Sequence, residues 1–284
     1  MSAAPGRPKQ ARVYIDGVGL LGPGLASWTV GRDLLAGDAA AWSAAPTVLP
    51  APQRLPPAER RRAGGAIKLA LAVADEAVMH AAVDPSQLQT VFASSSGDGQ
   101  NCHALCEALA TQAPVVSPTR FTNSVHNAAS GCWHIAVGSR AASTSLCAYD
   151  GSFGAGLLEA MVLVQSSGLP VLLVASDSPY PEPLHGKRPL PDHFGVALLL
   201  APTAGPRTLA ACTLDLLSGH AVATPCSSQA LDALRQAVPA AECLPLLQAI
   251  TRGPGSGADD NAVTIEYLTG CAIRLEVDCL APTR

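Results

Sequence analysis

The chain has 284 residues and a formal net charge of −4, enough length for one or two domains and no basic field for nucleic acid. Apolar residues make up 48%, charged residues 14% and aromatics only 4%, which excludes a disordered protein and leaves alanine, leucine and valine to build the core. So low a charged fraction also fits a chain with some apolar surface covered by a partner.

Residues 1–10 contain Pro5, Gly6, Pro8 and Lys9 and read as a flexible N-terminus without the apolar core of a signal peptide. No run of 18 apolar residues follows, so no membrane span is expected and the protein is read as cytoplasmic. Residues 12–21 form a strand ending in glycines, and 28–36 a helix stopped by Gly37. Residues 44–57 are a proline-rich loop. Residues 57–82 carry one long helical period through Ile67, Leu71, Ala74 and Val78. Arg60, Arg61 and Arg62 open this helix as a solvated face, with a phosphopantetheine or carrier-protein contact as the second use.

A buried strand at 90–93 runs into Ser94-Ser-Ser-Gly-Asp-Gly99. This is a tight turn, since the lysine and hydroxyl residue of a phosphate loop are missing. Helices are predicted at 101–111 and 123–137, and an alternating strand at 143–148. The helix at 154–166 is apolar nearly all round, so burial on every side is expected. Strands follow at 171–175, 194–201 and 208–215. A helix at 230–250, a glycine-rich flexible loop at 253–260 and a strand pair at 262–268 and 272–280 close the chain. Alternating helices and strands, several of them continuous apolar runs, argue an α/β protein with a mixed sheet covered by helices.

Nine cysteines are scattered, several within apolar runs. An odd number in a chain of this length is no disulfide framework and reads as buried reduced thiols. Cys102 and Cys106 flank His103, but no second ligand pair follows, so neither a metal site nor any cofactor is expected.

Three stretches in order resemble the β-ketoacyl synthases of the thiolase-like fold. The first is Arg12-Val-Tyr-Ile-Asp-Gly-Val-Gly-Leu-Leu-Gly-Pro-Gly with Leu34-Leu-Ala-Gly37. The second is Ser94-Ser-Ser-Gly-Asp-Gly99 with Asn123-Ser-Val-His-Asn-Ala-Ala-Ser-Gly131. The third is Ser143-Thr-Ser-Leu-Cys-Ala-Tyr-Asp-Gly-Ser152 and the helix after it. Lys187-Arg-Pro-Leu-Pro-Asp192, ahead of a strand, fits as well. The likeness covers 11–202. It implies one ketosynthase-like unit over 11–284, in which 203–284 is a shortened C-terminal part and the second half is truncated. Asn123-Ser-Val-His-Asn127 and Thr144-Ser-Leu-Cys-Ala-Tyr-Asp150 are similar to the shortened chain-length-factor family of aryl polyene pigment clusters.

A decarboxylating condensation needs a thiolate at a strand-to-helix elbow, where the helix N-terminus lowers the thiol pKa and backbone N–H groups hold the thioester oxygen. The resemblance places that position on Asp150. A carboxylate there suits a helix N-cap and is a poor acyl-transfer nucleophile; mimicry of a malonyl charge is a further reading. Cys147 and His126 are the alternative catalytic candidates, in an enzyme that would use Cys147 or Asp150 with His126 or His220. Cys147 reads otherwise as a buried core thiol and His126 as a hydrogen-bonded core histidine. His220-Ala-Val-Ala-Thr224 is a faint counterpart of the synthase His-Gly-Thr-Gly-Thr-like segment, about 70 positions after Asp150 and without its glycines. It reads as a vestige.

The resemblance therefore implies a non-catalytic subunit. It would pair with an active ketosynthase through the strand at 143–148, meet acyl carrier protein indirectly and limit product length. Asn123, His126, Ser145, Tyr149 and Phe153 are the expected tunnel or interface residues. The alternative is a small acyltransferase or thioesterase acting through Cys147.

Overall fold

The computed structural model describes residues 12–37, 39–219, 221–253 and 261–280. The flexible segments expected at 1–10 and, but for Gly253, at 253–260 lie outside these, as does His220.

Eight strands form one mixed sheet. In chain order they are β1 (Arg12–Leu21), β2 (Gln89–Ala93), β3 (Ser143–Leu146), β4 (Val171–Asp177), β5 (Phe194–Ala201), β6 (Ala210–Ser218), β7 (Ala262–Leu268) and β8 (Cys271–Cys279). Across the sheet the order is β3-β2-β4-β5-β1-β6-β8-β7. Only β2 pairs in parallel, with β3 and with β4; the remaining neighbours run antiparallel.

The continuous apolar runs β4 and β5 are central and buried on both faces, as strands covered by helices on each side must be. Their side chains alternate between two cores. Val171, Leu173 and Ala175 join α7 (Ser152–Ser167) on one face. Leu172 and Val174 join α3 (Gly65–Ala81) and Trp133 on the other. Helix α3 lies directly on β1, because a Cβ at Gly19 would meet the Val73 carbonyl at 2.0 Å and one at Gly17 the Ala77 carbonyl at 2.3 Å. The glycines that end the first strand in sequence are thus the seat of a helix, not only a turn.

The other helices are α1 (Trp28–Ala36), α2 (Pro57–Arg62), α4 (Gly99–Leu109), α5 (Pro118–Thr122), α6 (Ala128–Val137), α8 (Gln229–Ala237) and α9 (Leu244–Thr251). Several differ from expectation for local reasons. The period over 57–82 is split between α2 and α3, because Ala63 and Gly64 are extended. The stretch 123–137 is helical only from Ala128, after a turn. The helix expected at 230–250 breaks where Val238, held extended before Pro239, leads into a short 3₁₀ turn at Pro239–Cys243. Helix α7 is enclosed over its first two turns, but Val162 and residues 165–167 are exposed, so it is not buried all round. Among the described residues no helix is long and apolar enough to cross a membrane.

Candidate functional site

Strand β3 is the edge of the sheet and pairs only with β2, from Thr90↔Ser143 to Ala93↔Leu146. The chain then turns through a 3₁₀ segment, Tyr149–Gly151, into α7. Tyr149 occupies the left-handed region at φ 53°, a position that needs local support in a non-glycine residue. Ser152 supplies it: its Oγ accepts from Ala148 N at 3.0 Å and donates to the Tyr149 carbonyl at 2.7 Å. Gly151 N donates to the Ala148 carbonyl at 3.0 Å. The N–H groups of Ala148 and Gly151 are therefore bonded within the turn, where a thioester-binding elbow would hold such donors ready.

Asp150 does not cap α7. Its carboxylate turns away and pairs with Arg188, and Gly151 stands at the N-cap with no side-chain bond. The Arg188 guanidinium lies 3.7 Å from the centre of the Tyr149 ring. Arg188 is the more sheltered of the ion pair, its side chain 18% exposed against 67% for Asp150. The elbow thus carries a stacked arginine over an ion-paired carboxylate. From the other side the β7 backbone closes on it: a Cβ at Gly151 would lie 2.1 Å from the Tyr267 carbonyl oxygen.

Beside the elbow is a cavity of about 820 Å³ whose walls include Asp150, Arg188, Arg235, Glu242 and Tyr267. Arg235 is buried and bridges Asp232 and Glu242, each at 2.7 Å. Burial pushes the Glu242 carboxyl up to about 7 against the opposing pull of Arg235. Burial, aided by the Asp232 charge, pushes the Cys226 thiol up to about 12, so it stays a thiol. A second cavity, about 450 Å³, is lined by Asp150, Tyr267, Gly219 and Ala221. Gly219 and Ala221 thus lie at the elbow, about 70 positions after Asp150.

Cys147 is exposed rather than a core thiol: β3 ends at Leu146 and has no strand beyond it among the described residues. Its Sγ donates to the Ser95 carbonyl at 3.1 Å. Cys102 and Cys106 are exposed too, whereas Cys212, Cys226 and Cys243 are buried, so the all-buried reading holds for a part of the nine, all of them unpaired. Among the described residues no cluster of three or more His, Cys, Asp or Glu could hold a metal ion.

His126 is likewise exposed, in the turn before α6, and is not a core histidine. With Asn123, Ser94 and Asp98 it lines a small cavity of about 40 Å³ to which neither Cys147 nor Asp150 contributes. Asn123 Nδ2 donates to the Arg62 carbonyl at 3.1 Å. Ser145 Oγ shares a 3.1 Å hydrogen bond with Ser130 Oγ. Phe153 is wholly buried among the core residues of α7. Of the expected tunnel or interface residues, Tyr149 alone lines the elbow cavity.

The turn at 94–99 is structural. Ser94 Oγ accepts from Gly97 N at 3.0 Å, and Asp98 caps α4 by accepting from Asn101 N at 2.9 Å. Behind it Asp177, fully buried and raised in pKa by desolvation, accepts from Ser95 N at 2.7 Å and Ala240 N at 2.9 Å. Of the arginine run, Arg60 turns inward to the Gln53 and Leu55 carbonyls, at 2.8 and 3.0 Å, and fixes the proline-rich loop. Arg188, Arg235, Glu242 and Tyr267 were not singled out from sequence. The spacing of Asp232 and Arg235 on one helix face was a usable signal; the contact of the Tyr267 carbonyl left none.

Residues 37–252 match the family described as the N-terminal domain of β-ketoacyl synthases. The chain belongs to this family. Solved structures similar to the chain include the following three. A ketosynthase in complex with its chain length factor, from Xenorhabdus doucetiae, is 22% identical with a TM-score of 0.70, over 93% of this chain and 98% of the other. The ishigamide ketosynthase/chain length factor is 15% identical with a TM-score of 0.70, over 95% and 99%. A type II polyketide ketosynthase in complex with its acyl-carrier protein is 12% identical with a TM-score of 0.72, over 95% and 100%. Identities this low establish the fold alone, and it is the ketosynthase-like, thiolase-like fold expected from sequence. None of the curated proteins compared matches the chain.

Proposed function

We propose that this synthase-family chain is a non-catalytic, chain-length-factor subunit. It pairs with an active β-ketoacyl synthase in the cytoplasm, acts as one ketosynthase-like unit over 11–284, and shapes the partner's acyl tunnel in polyene or polyketide synthesis. The observation that carries this is the elbow. Asp150, paired with Arg188, which stacks on the Tyr149 ring, holds the position that the resemblance gives to the thiolate, and two of the turn's N–H groups are already bonded.

Pairing is supported by a second feature. Across residues 101–150, which include α4, α5, α6 and the edge strand β3, only Asn101, Ser130 and Trp133 are buried. Leu109, Val115, Phe121, Val125, Ile135 and Tyr149, all in this stretch, are large apolar side chains at least half exposed. An apolar surface of this kind, next to an open strand edge, suits a partner chain. Asn123, His126 and Ser145 lie within it. Tyr149 reaches the tunnel region directly, and Phe153 acts through the start of α7. Acyl carrier protein would be met through the ketosynthase.

The test is co-expression with a ketosynthase, size-exclusion chromatography and a condensation assay. A 1:1 complex is expected, active only with both chains, with unchanged turnover for Asp150→Ala or Cys147→Ala in this chain and a changed product length for Tyr149→Ala. A solitary protein that turns over acyl thioesters and stops on Cys147→Ala would replace this reading with the acyltransferase or thioesterase one. Against that alternative, among the described residues the Cys147 thiol's hydrogen bond goes to a carbonyl, not to a histidine.

A further inference from the structure

A groove of about 580 Å³ runs along the outer face of α3, away from the elbow. Its floor is one helical stripe, Lys68, Leu71, Ala72, Asp75, Glu76 and Met79, spaced by three and four as a single face requires. From Lys68 to His80 the stripe is roughly 18 Å long at 1.5 Å per residue. The proline-rich loop at 50–54 forms one wall, Trp133 and Ala136 of α6 another, and Trp28 closes the end. The loop is fixed by Arg60 and by Thr47 N, which donates to Asp192 at 2.8 Å, so the groove is preformed. Its volume is that of an ordinary small-molecule site.

Most charges in it are already engaged. Arg54 pairs with Asp75. Glu76 accepts from Leu20 N at 2.8 Å and from Trp28 N, at the start of α1, at 2.7 Å. His80 Nδ1 accepts from Val18 N at 3.1 Å, which leaves its Nε2 as a donor. Lys68 is half-buried and makes no ion pair with another described residue. The Trp28 and Trp133 indole N–H groups are buried behind the walls and add no donor to the groove. A half-buried ammonium beside an apolar trough calls for an anion with a long apolar body.

We propose that this groove binds a linear amphipathic monocarboxylate, its carboxylate on Lys68 and its chain laid along Ala72 and Met79 toward Trp28. A single carboxylate matches Lys68 one to one, whereas a doubly charged phosphate would add repulsion from Glu76, whose carboxylate is held by backbone N–H groups and not by a cation. The site is independent of the elbow, since α3 and α7 pack on opposite faces of the sheet.

The probe is decanoate, titrated at neutral pH into the full chain, alone or with its ketosynthase, and read by tryptophan fluorescence. Two of the three tryptophans line the groove. A saturable spectral change is expected with decanoate and not with decyltrimethylammonium. Lys68→Met, which keeps the apolar stem and the helix, should weaken binding about 10- to 100-fold, the loss of one charge-assisted bond. Lys68→Arg should retain it. Met79→Glu, at an exposed position that the fold tolerates, should weaken it by setting a like charge beside the bound chain. No saturable change with decanoate, equal binding of the cationic detergent, or wild-type affinity in Lys68→Met would each overturn the proposal.

Discussion

The closest approach at the elbow makes Gly151→Ala a direct test of how β7 closes the site. Gly151 sits at φ −81°, ψ 12°, a conformation alanine adopts freely, so backbone strain contributes nothing and any loss is steric. The new methyl carbon would lie 2.1 Å from the Tyr267 carbonyl oxygen and 3.0 Å from its carbon. About 1 Å of movement is needed to reach ordinary contact, and the obstacle is backbone that no side-chain rotation can clear. Overpacking of this kind costs about 1–3 kcal/mol. Displacing β7 also weakens its ladder to β8, where Glu266 pairs with Ala272 and Leu268 with Cys271, at about 1 kcal/mol per hydrogen bond. A loss of about 3 kcal/mol follows, a fall in Tm of roughly 6–12 °C for a chain of this size. Thermal and urea unfolding of the isolated chain would measure it. A Gly151→Ala variant within 1 °C of wild type would refute the packing of β7 on the elbow.

Gly131→Ala is the opposite case. Its Cβ would meet nothing within 4 Å inside α6, so the isolated chain should gain about 0.5–1 kcal/mol in urea unfolding. Ser152→Ala removes both bonds that hold the Tyr149 turn and should cost about 2 kcal/mol by the same measurement; a neutral effect would mean that the turn stands without them. Glu242 has its folded pKa raised, by burial, from 4.5 to about 7. Its contribution is therefore present below about 4.5 and lost as pH rises toward 7. Glu242→Gln, which can still accept from Arg235, should gain in Tm relative to wild type between pH 5 and 8, and a pH-independent difference would contradict the shift. Iodoacetamide should modify Cys147, Cys102 and Cys106 in the folded chain and spare Cys212 and Cys226, buried and held as thiols near pKa 12. Peptide mass spectrometry that finds Cys212 modified as fast as Cys147 would argue against the burial of β6.

Much of this architecture was legible in the residues. The uninterrupted apolar runs of β4 and β5 announced strands covered on both faces, and the α3 period named its core side. The elbow was placed by the resemblance to β-ketoacyl synthases. What misled was the assumption that alternation implies burial. Residues 143–148 alternate, yet β3 ends at Leu146 and Cys147 is exposed, because a sheet edge has a neighbour on one side only. The breaks at Ala63-Gly64 and Val238-Pro239 were visible as residues that interrupt helices, but helical period on either side outweighed them. The partner of Asp150 could not be read locally. Its charge suited a helix cap, and only the tertiary fold brings Arg188, 38 residues later, to claim it.

The position of β1 sets the order in which this molecule can be made. It leaves the ribosome before the other seven described strands and is one of the innermost in the sheet, between β5 and β6. Its ladder partners are Leu198 and Ala201 on one side and Cys212 and Thr213 on the other. At roughly 5–20 residues per second, those partners emerge roughly 10–40 s after it. Until then an apolar strand waits unpaired, and the sheet cannot assemble from its first element outward. Such distant pairings belong to slow-folding topologies.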